Sequence, residues 1–178
     1  VFRKVSAGET PASLSRMLGA SKPLILLPPD GERWKDLTAR WDKDPSNRPV
    51  IRQWLPGDPG GAPAWLLASS DKEGPAAAFL ASLAPYGLGG GGNALKLGGG
   101  EFPLDSHTFV LAGPGAVPSA LILSRAGQEL SRLAAKLPHY GKHSWLVFDR
   151  ELNAVKTGNW RPAGSPLVKA LKAGSGPA

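Results

Sequence analysis

Short apolar runs alternate with stretches of helical spacing along most of this chain. Leu24-Ile25-Leu26-Leu27 follows Lys22-Pro23 and stops at Pro28-Pro29, which predicts a buried strand. Asp30 then reads as the N-cap of a helix from Glu32 to Lys43, where Trp34, Leu37, Thr38 and Trp41 recur on one face. Pro49 to Trp54 is a second strand, the Gly/Pro-rich stretch from Pro56 to Pro63 a loop, and Ala64 to Ala68 a third strand. Ser70-Asp71 caps a helix running to Leu83, with Phe79, Leu80 and Leu83 together. Beyond Tyr86, glycine runs bracket Ala94-Leu95-Lys96-Leu97, predicting two short strands with flexible joints. Thr108 to Ala112 and Ala120 to Leu123 are further strands, and a helix from Arg125 to Leu137 groups Leu130, Leu133, Ala134 and Leu137. Trp145 to Phe148 and Ala154 to Lys156 form a closing hairpin around Arg150-Glu151-Leu152-Asn153.

Strands alternating with helices imply an α/β fold, with a mixed, mostly parallel sheet, right-handed crossovers and helices packed on it. The glycine strands and the hairpin near the C-terminus add antiparallel pairing at an edge. One domain is expected over residues 1–172, with a flexible tail at 173–178. An internal echo joins two segments. Pro63-Ala-Trp-Leu-Leu-Ala-Ser and a helix ending at Tyr86-Gly87 parallel Pro118-Ser-Ala-Leu-Ile-Leu-Ser and a helix ending at Tyr140-Gly141. Repeated use of one helix-stop chemistry in successive αβ units accounts for it, because Gly after a helix end commonly supplies a left-handed residue.

Composition narrows the classes. With 178 residues the chain has material for one sizeable core, and its 42% hydrophobic and 20% charged residues are ordinary for a folded protein. Zero cysteines exclude disulfides, thiolate ligands and a Cys nucleophile. No run is long and apolar enough for a transmembrane helix. The start at Val1, without a leader, suggests a mature product or a piece of something longer. The net charge of +7 is concentrated late: residues 125–178 carry nine Lys/Arg against three acids. These cations are scattered singly, without the clusters or aromatic interleaving of a nucleic-acid platform, so they read as a solvated surface.

Familiar catalytic motifs fail on spacing or context. His139 and His143 with His107 could supply three zinc ligands, but Pro138 and Gly141 make a helical i,i+4 pair untenable and no acid sits in the loop. The glycine run from Gly87 to Gly92 contains G-x-G-x-x-G, yet it follows a helix and leads into a strand, the reverse of the phosphate-binding order. G-x-S-x-G is absent. Ser124 occupies a strand-to-helix position between bulky Leu123 and Arg125, and Ser69 an equivalent one; strand-end serines commonly cap helices. If the chain is a free-standing small-molecule-binding module or small hydrolase, its site falls at the carboxyl ends of the strands, where Ser69, Asp71, Ser124, Arg125 and Asp149 would gather. A sheet edge beside the glycine strands could also accept an extended peptide.

The most distinctive stretch is Ala134 to Pro166. Leu137, His139, Tyr140, Gly141, Lys142, Ser144, Leu146, Phe148, Asn153, Lys156, Gly158, Trp160, Ser165, Pro166 and Leu167 stand in a fixed order. This pattern resembles a signature downstream of the peptidase domain in certain bacterial proteins of the aminopeptidase-N-like zinc metallopeptidase family, with a looser likeness back to about His107. The family's H-E-x-x-H motif is missing here, so no zinc could be held in the family's way. The resemblance therefore implies a non-catalytic accessory region without a cofactor of its own. Its partner would be the catalytic domain of a parent zinc peptidase, or another protein, in the periplasm or cell envelope. His139, Tyr140, Gly141, Lys142 and Trp160 are the expected contact surface, with Trp160 the candidate aromatic anchor, although core packing is the commoner role for such a tryptophan.

Overall fold

The computed structural model describes residues 12–162 apart from 44, 46, 59, 71, 73 and 126–129. Asp71, the expected tail at 173–178, and Ser165, Pro166 and Leu167 of the signature lie outside the described residues. In chain order the elements are α1 (Ser15–Leu18), β1 (Leu24–Leu27), α2 (Lys35–Trp41), β2 (Val50–Gln53), β3 (Ala64–Ala68), α3 (Gly74–Leu83), β4 (Gly89–Gly91), β5 (Ala94–Leu97), β6 (Gly100–Pro103), β7 (Thr108–Ala112), β8 (Ser119–Ser124), α4 (Ser131–Lys136), β9 (Trp145–Phe148) and β10 (Ala154–Gly158). Short 3-10 turns precede α2 and follow α3 and α4. No helix among the described residues is long and apolar enough to cross a membrane.

Seven strands form one mixed sheet in the order β10-β9-β7-β8-β3-β1-β2. β2, β1, β3 and β8 pair in parallel, while β7 is antiparallel to both β8 and β9 and β10 is antiparallel to β9. Five strands thus run one way and two the other, an α/β fold with a mostly parallel sheet. β3, β7 and β9 are buried along their whole length, as strands covered on both faces must be, whereas β2 and β10 form the exposed edges. The core joins Trp34 and Leu37 of the α2 region, Leu133 and Leu137 around α4, and Phe79 and Leu83 of α3 to the central strands.

The glycine-rich region departs from expectation. It makes three strands, and they form a separate antiparallel sheet in the order β4-β5-β6, not an extension of the main sheet's edge. Alternation in β5 explains how it docks: Leu95 and Leu97 are buried in the common core while Lys96 faces solvent.

The internal echo has a structural counterpart. β3 and β8 lie side by side with Ala64 opposite Ser119 and Ala68 opposite Leu123, the same alignment that the two sequence segments suggest. Their helix stops differ, however. Gly87 takes the left-handed conformation at φ 103, but Gly141 stays right-handed at φ −53. A Cβ at Gly141 would meet Leu18 and Ser15 of α1 only at ordinary contact distances of 3.4–3.6 Å, so space does not require glycine there. That short helix has too little apolar periodicity to be read from sequence. It is pinned from outside, by Leu14 N–H on the His143 carbonyl (2.9 Å) and Ser15 N–H on the Gly141 carbonyl (2.8 Å).

Candidate functional site

From β1 the chain steps outward to β2, then returns to β1's other flank as β3 and continues toward the opposite edge. The sheet's switch point therefore lies between β1 and β3, and the crevice outside their carboxyl ends is where open α/β sheets hold ligands. Asp30 stands just beyond β1 and Ser69 just beyond β3. The Ser69 hydroxyl donates to Asp30 Oδ2 at 3.2 Å. Asp30 was expected to cap α2, but its side chain makes no such hydrogen bond and turns toward Ser69 instead. Pro29, Asp30, Trp54 and Gly74 line a cleft of about 320 Å³ here. Trp54 is held by its backbone N–H on the Leu27 carbonyl (3.0 Å), and Gly74, opening α3, lies against the Trp54 indole. Ser70 Oγ accepts from Lys72 N–H at 3.2 Å, shaping the loop ahead of that helix.

Of the other strand-end residues that are described, Ser124, Arg125 and Asp149 do not line this cleft. Ser124 is fully buried, its hydroxyl 2.8 Å from that of Thr108 on the neighbouring strand. Arg125 reaches Asn93 and Asp105, both at 3.3 Å, and so ties the small sheet to the end of β8. Asp149 organises the β9–β10 turn, accepting from the backbone N–H groups of Asn153 (2.8 Å) and Glu151 (2.9 Å). The Asn153 backbone bond is the foremost cause that holds the Asp149 carboxyl below its ordinary range. Among the described members of the set, Ser69 is thus the one tied to the switch point, through Asp30, and Asp30 and Trp54 line the cleft there without strand-end reasoning having anticipated them. Strand order, which brings them together, is not written in local spacing.

Histidines lie apart. β7 runs antiparallel to β9 with Thr108 opposite Phe148 and Leu111 opposite Trp145. That register puts His107 at one end of the sheet and the His139–His143 loop at the other. His107 Nδ1 sits 2.9 Å from Ser106 Oγ and 3.0 Å from the Pro103 carbonyl. Among the described residues no three His, Asp or Glu side chains gather to hold a metal ion.

In the signature segment, His139 and Lys142 face solvent. Tyr140 is half-buried, its ring edge-on to Phe148 at 5.8 Å. The Gly141 carbonyl accepts from the Ser15 N–H of α1 at 2.8 Å. Trp160 is not a surface anchor: it is 3% exposed, its indole N–H donates to the Ala112 carbonyl at 2.7 Å, and its ring lies 6.4 Å from that of Trp145. Ser144 N–H donates to Asn159 Oδ1 at 3.0 Å. These contacts fasten the β9–β10 hairpin to the sheet.

Compared with protein-family models, with characterised proteins and with solved structures, the chain finds no match.

Proposed function

We propose that this chain is a non-catalytic accessory domain, serving interaction or gating, of a larger aminopeptidase-like zinc metallopeptidase. The observation that supports it most is the role of the signature residues. Tyr140 on Phe148, the Gly141 carbonyl on the Ser15 N–H, Ser144 on Asn159 and Trp160 on Ala112 are packing and hydrogen-bonding partners that close one end of the sheet. A signature of this kind marks a shared structural unit, as an accessory region would have, and not a reacting centre. His139 and Lys142, exposed on the same loop, are the residues of that unit free to meet a catalytic domain. An envelope location follows the same resemblance.

The test is capture of the native polypeptide with an antibody to this domain. A polypeptide several times larger than this chain, carrying chelator-sensitive aminopeptidase activity, is the expected result. A polypeptide of this size without such activity overturns the reading.

The Ser69–Asp30 pair at the switch point favours a second reading, a small-molecule-binding α/β module. An exposed carboxylate beside a hydroxyl suits a ligand bearing an ammonium or hydroxyl group. Small amines and sugars should then raise the melting temperature of the wild type but not of Asp30→Asn. If none shifts either protein, this second reading falls.

A further inference from the structure

A second cavity lies at the opposite, amino-terminal end of the parallel strands, away from the switch point. It measures about 300 Å³, at the small end of the ~300–1,000 Å³ range of ligand pockets. Met17 and Leu18 of α1, Ile25 of β1 and Ala134 of α4 build its apolar wall, and Trp41 and Trp65 its aromatic side. The two indoles are already paired, with centroids 5.1 Å apart and planes tilted by 32°. Trp65 is 4% exposed, whereas Trp41 is only half-buried and keeps part of its surface toward the open space. An incoming ring or branched side chain would complete that stack and remove apolar surface from water.

The rim is held in place. Asn47 accepts from the Lys22 backbone N–H at 2.5 Å and donates to the Ala20 carbonyl at 3.1 Å, locking a turn in which Lys22 takes a left-handed φ of 46. These two bonds fix the Asn47 amide in the rim, leaving it one N–H and one lone pair beside the cavity. Arg40, exposed on α2, is the only charged residue among the described ones that line the cavity, and no described residue forms an ion pair with it. Asp42 nearby is engaged by Arg48 at 3.1 Å.

We infer that this cavity binds a small aromatic or branched aliphatic carboxylate, its apolar part against Trp41 and Trp65 and its carboxylate on the Arg40 guanidinium. A planar five-donor cation matches a carboxylate through two parallel hydrogen bonds. The same wall offers no described carboxylate to an ammonium group. A free amino acid is therefore a poorer guest than its desamino counterpart, because its ammonium would be desolvated without a partner. The inference is independent of the accessory-domain reading and of the switch-point crevice.

Indole-3-propionate is the probe, titrated calorimetrically into the whole chain beside indole-3-propionamide and tryptophan. Saturable binding of the acid is expected, weaker by about tenfold or more for the amide, for tryptophan and for Arg40→Gln, as loss of a charge-assisted contact implies. Arg40 is exposed, so its replacement leaves the fold intact; unchanged circular dichroism verifies this. Ala134→Leu, which puts a larger side chain into the wall, should abolish binding. Equal affinity for acid and amide, undiminished binding by Arg40→Gln or Ala134→Leu, or no binding of any probe overturns the assignment. So does binding confined to longer peptides, which would make the cavity a protein-docking pocket.

Discussion

The indole of Trp160 and the carbonyl of Ala112, forty-eight residues apart, share a 2.7 Å hydrogen bond inside the core. Ala112 ends β7, and its own N–H donates to the Ser144 carbonyl just ahead of β9 (2.8 Å). The bond from Trp160 therefore fastens the chain beyond β10 to the same corner that begins the hairpin. The signature's one tryptophan beyond the last strand earns its place as a clamp.

Removing only the donor tests that role. Trp160→Phe keeps the aromatic bulk but strands a buried acceptor, and should cost about 1–3 kcal/mol in urea unfolding. Trp160→Ala adds a cavity and should cost about 3–5 kcal/mol. Equal, small losses for both variants would mean the bond contributes nothing.

Trp145 needs glycine on two sides. A Cβ at Gly98 would come within 2.8 Å of its ring, and one at Gly158, its cross-strand partner, closer still. Gly158→Ala should destabilise by about 1–3 kcal/mol through overpacking. In a Trp145→Phe background the smaller ring leaves room, so the same change should cost less, a coupling that a double-mutant cycle measures. Gly61→Ala, at a position with nothing within 4 Å, should stay within about 0.5 kcal/mol of wild type.

Much of this architecture was legible before any coordinates. Ala64–Ala68, Thr108–Ala112 and Trp145–Phe148 were read to the residue, because continuous apolar runs bounded by Gly, Pro or polar turns permit little else. Elements that depend on tertiary contact were not. α1 exists because two backbone bonds to the His143–Gly141 loop hold it, and the glycine strands form their own sheet because Leu95 and Leu97 dock on the core. The site was less legible still. Ser69 was named, but Asp30 became its partner only through the order β3-β1-β2; for Trp160 the sequence left core packing, the commoner role, beside a surface anchor, and its indole N–H on a buried carbonyl decides for the core.

The two strand-end serines, equivalent in the sequence echo, should behave differently. Ser124 shares a buried hydrogen bond with Thr108, so Ser124→Ala should lower stability by about 1–3 kcal/mol. Ser69 is partly exposed and bonds to an exposed carboxylate, so Ser69→Ala should stay within about 0.5 kcal/mol. Urea midpoints for the pair decide it. A larger loss at Ser69 would make it framework and remove it from the crevice as a binding group.

Acid should weaken the exposed edge of the sheet at a definable point. Arg52 of β2 grips Asp58 through two hydrogen bonds of 2.8 Å, and the Leu55 N–H adds a third at 2.6 Å. The Arg52 hydrogen bond is the main cause that lowers the Asp58 carboxyl below its ordinary range, outweighing the opposing effect of desolvation. A carboxyl whose pKa is lower folded than unfolded contributes stability that is fully present above the unfolded value, about 3.9, and is lost as pH falls through the folded one. Arg52 is shifted upward and stays protonated throughout that range. Asp58→Asn should therefore lower the urea midpoint at neutral pH, and the gap to wild type should narrow as pH drops below about 4. A gap that stays constant into acid would show that the pair contributes through geometry alone and not through charge.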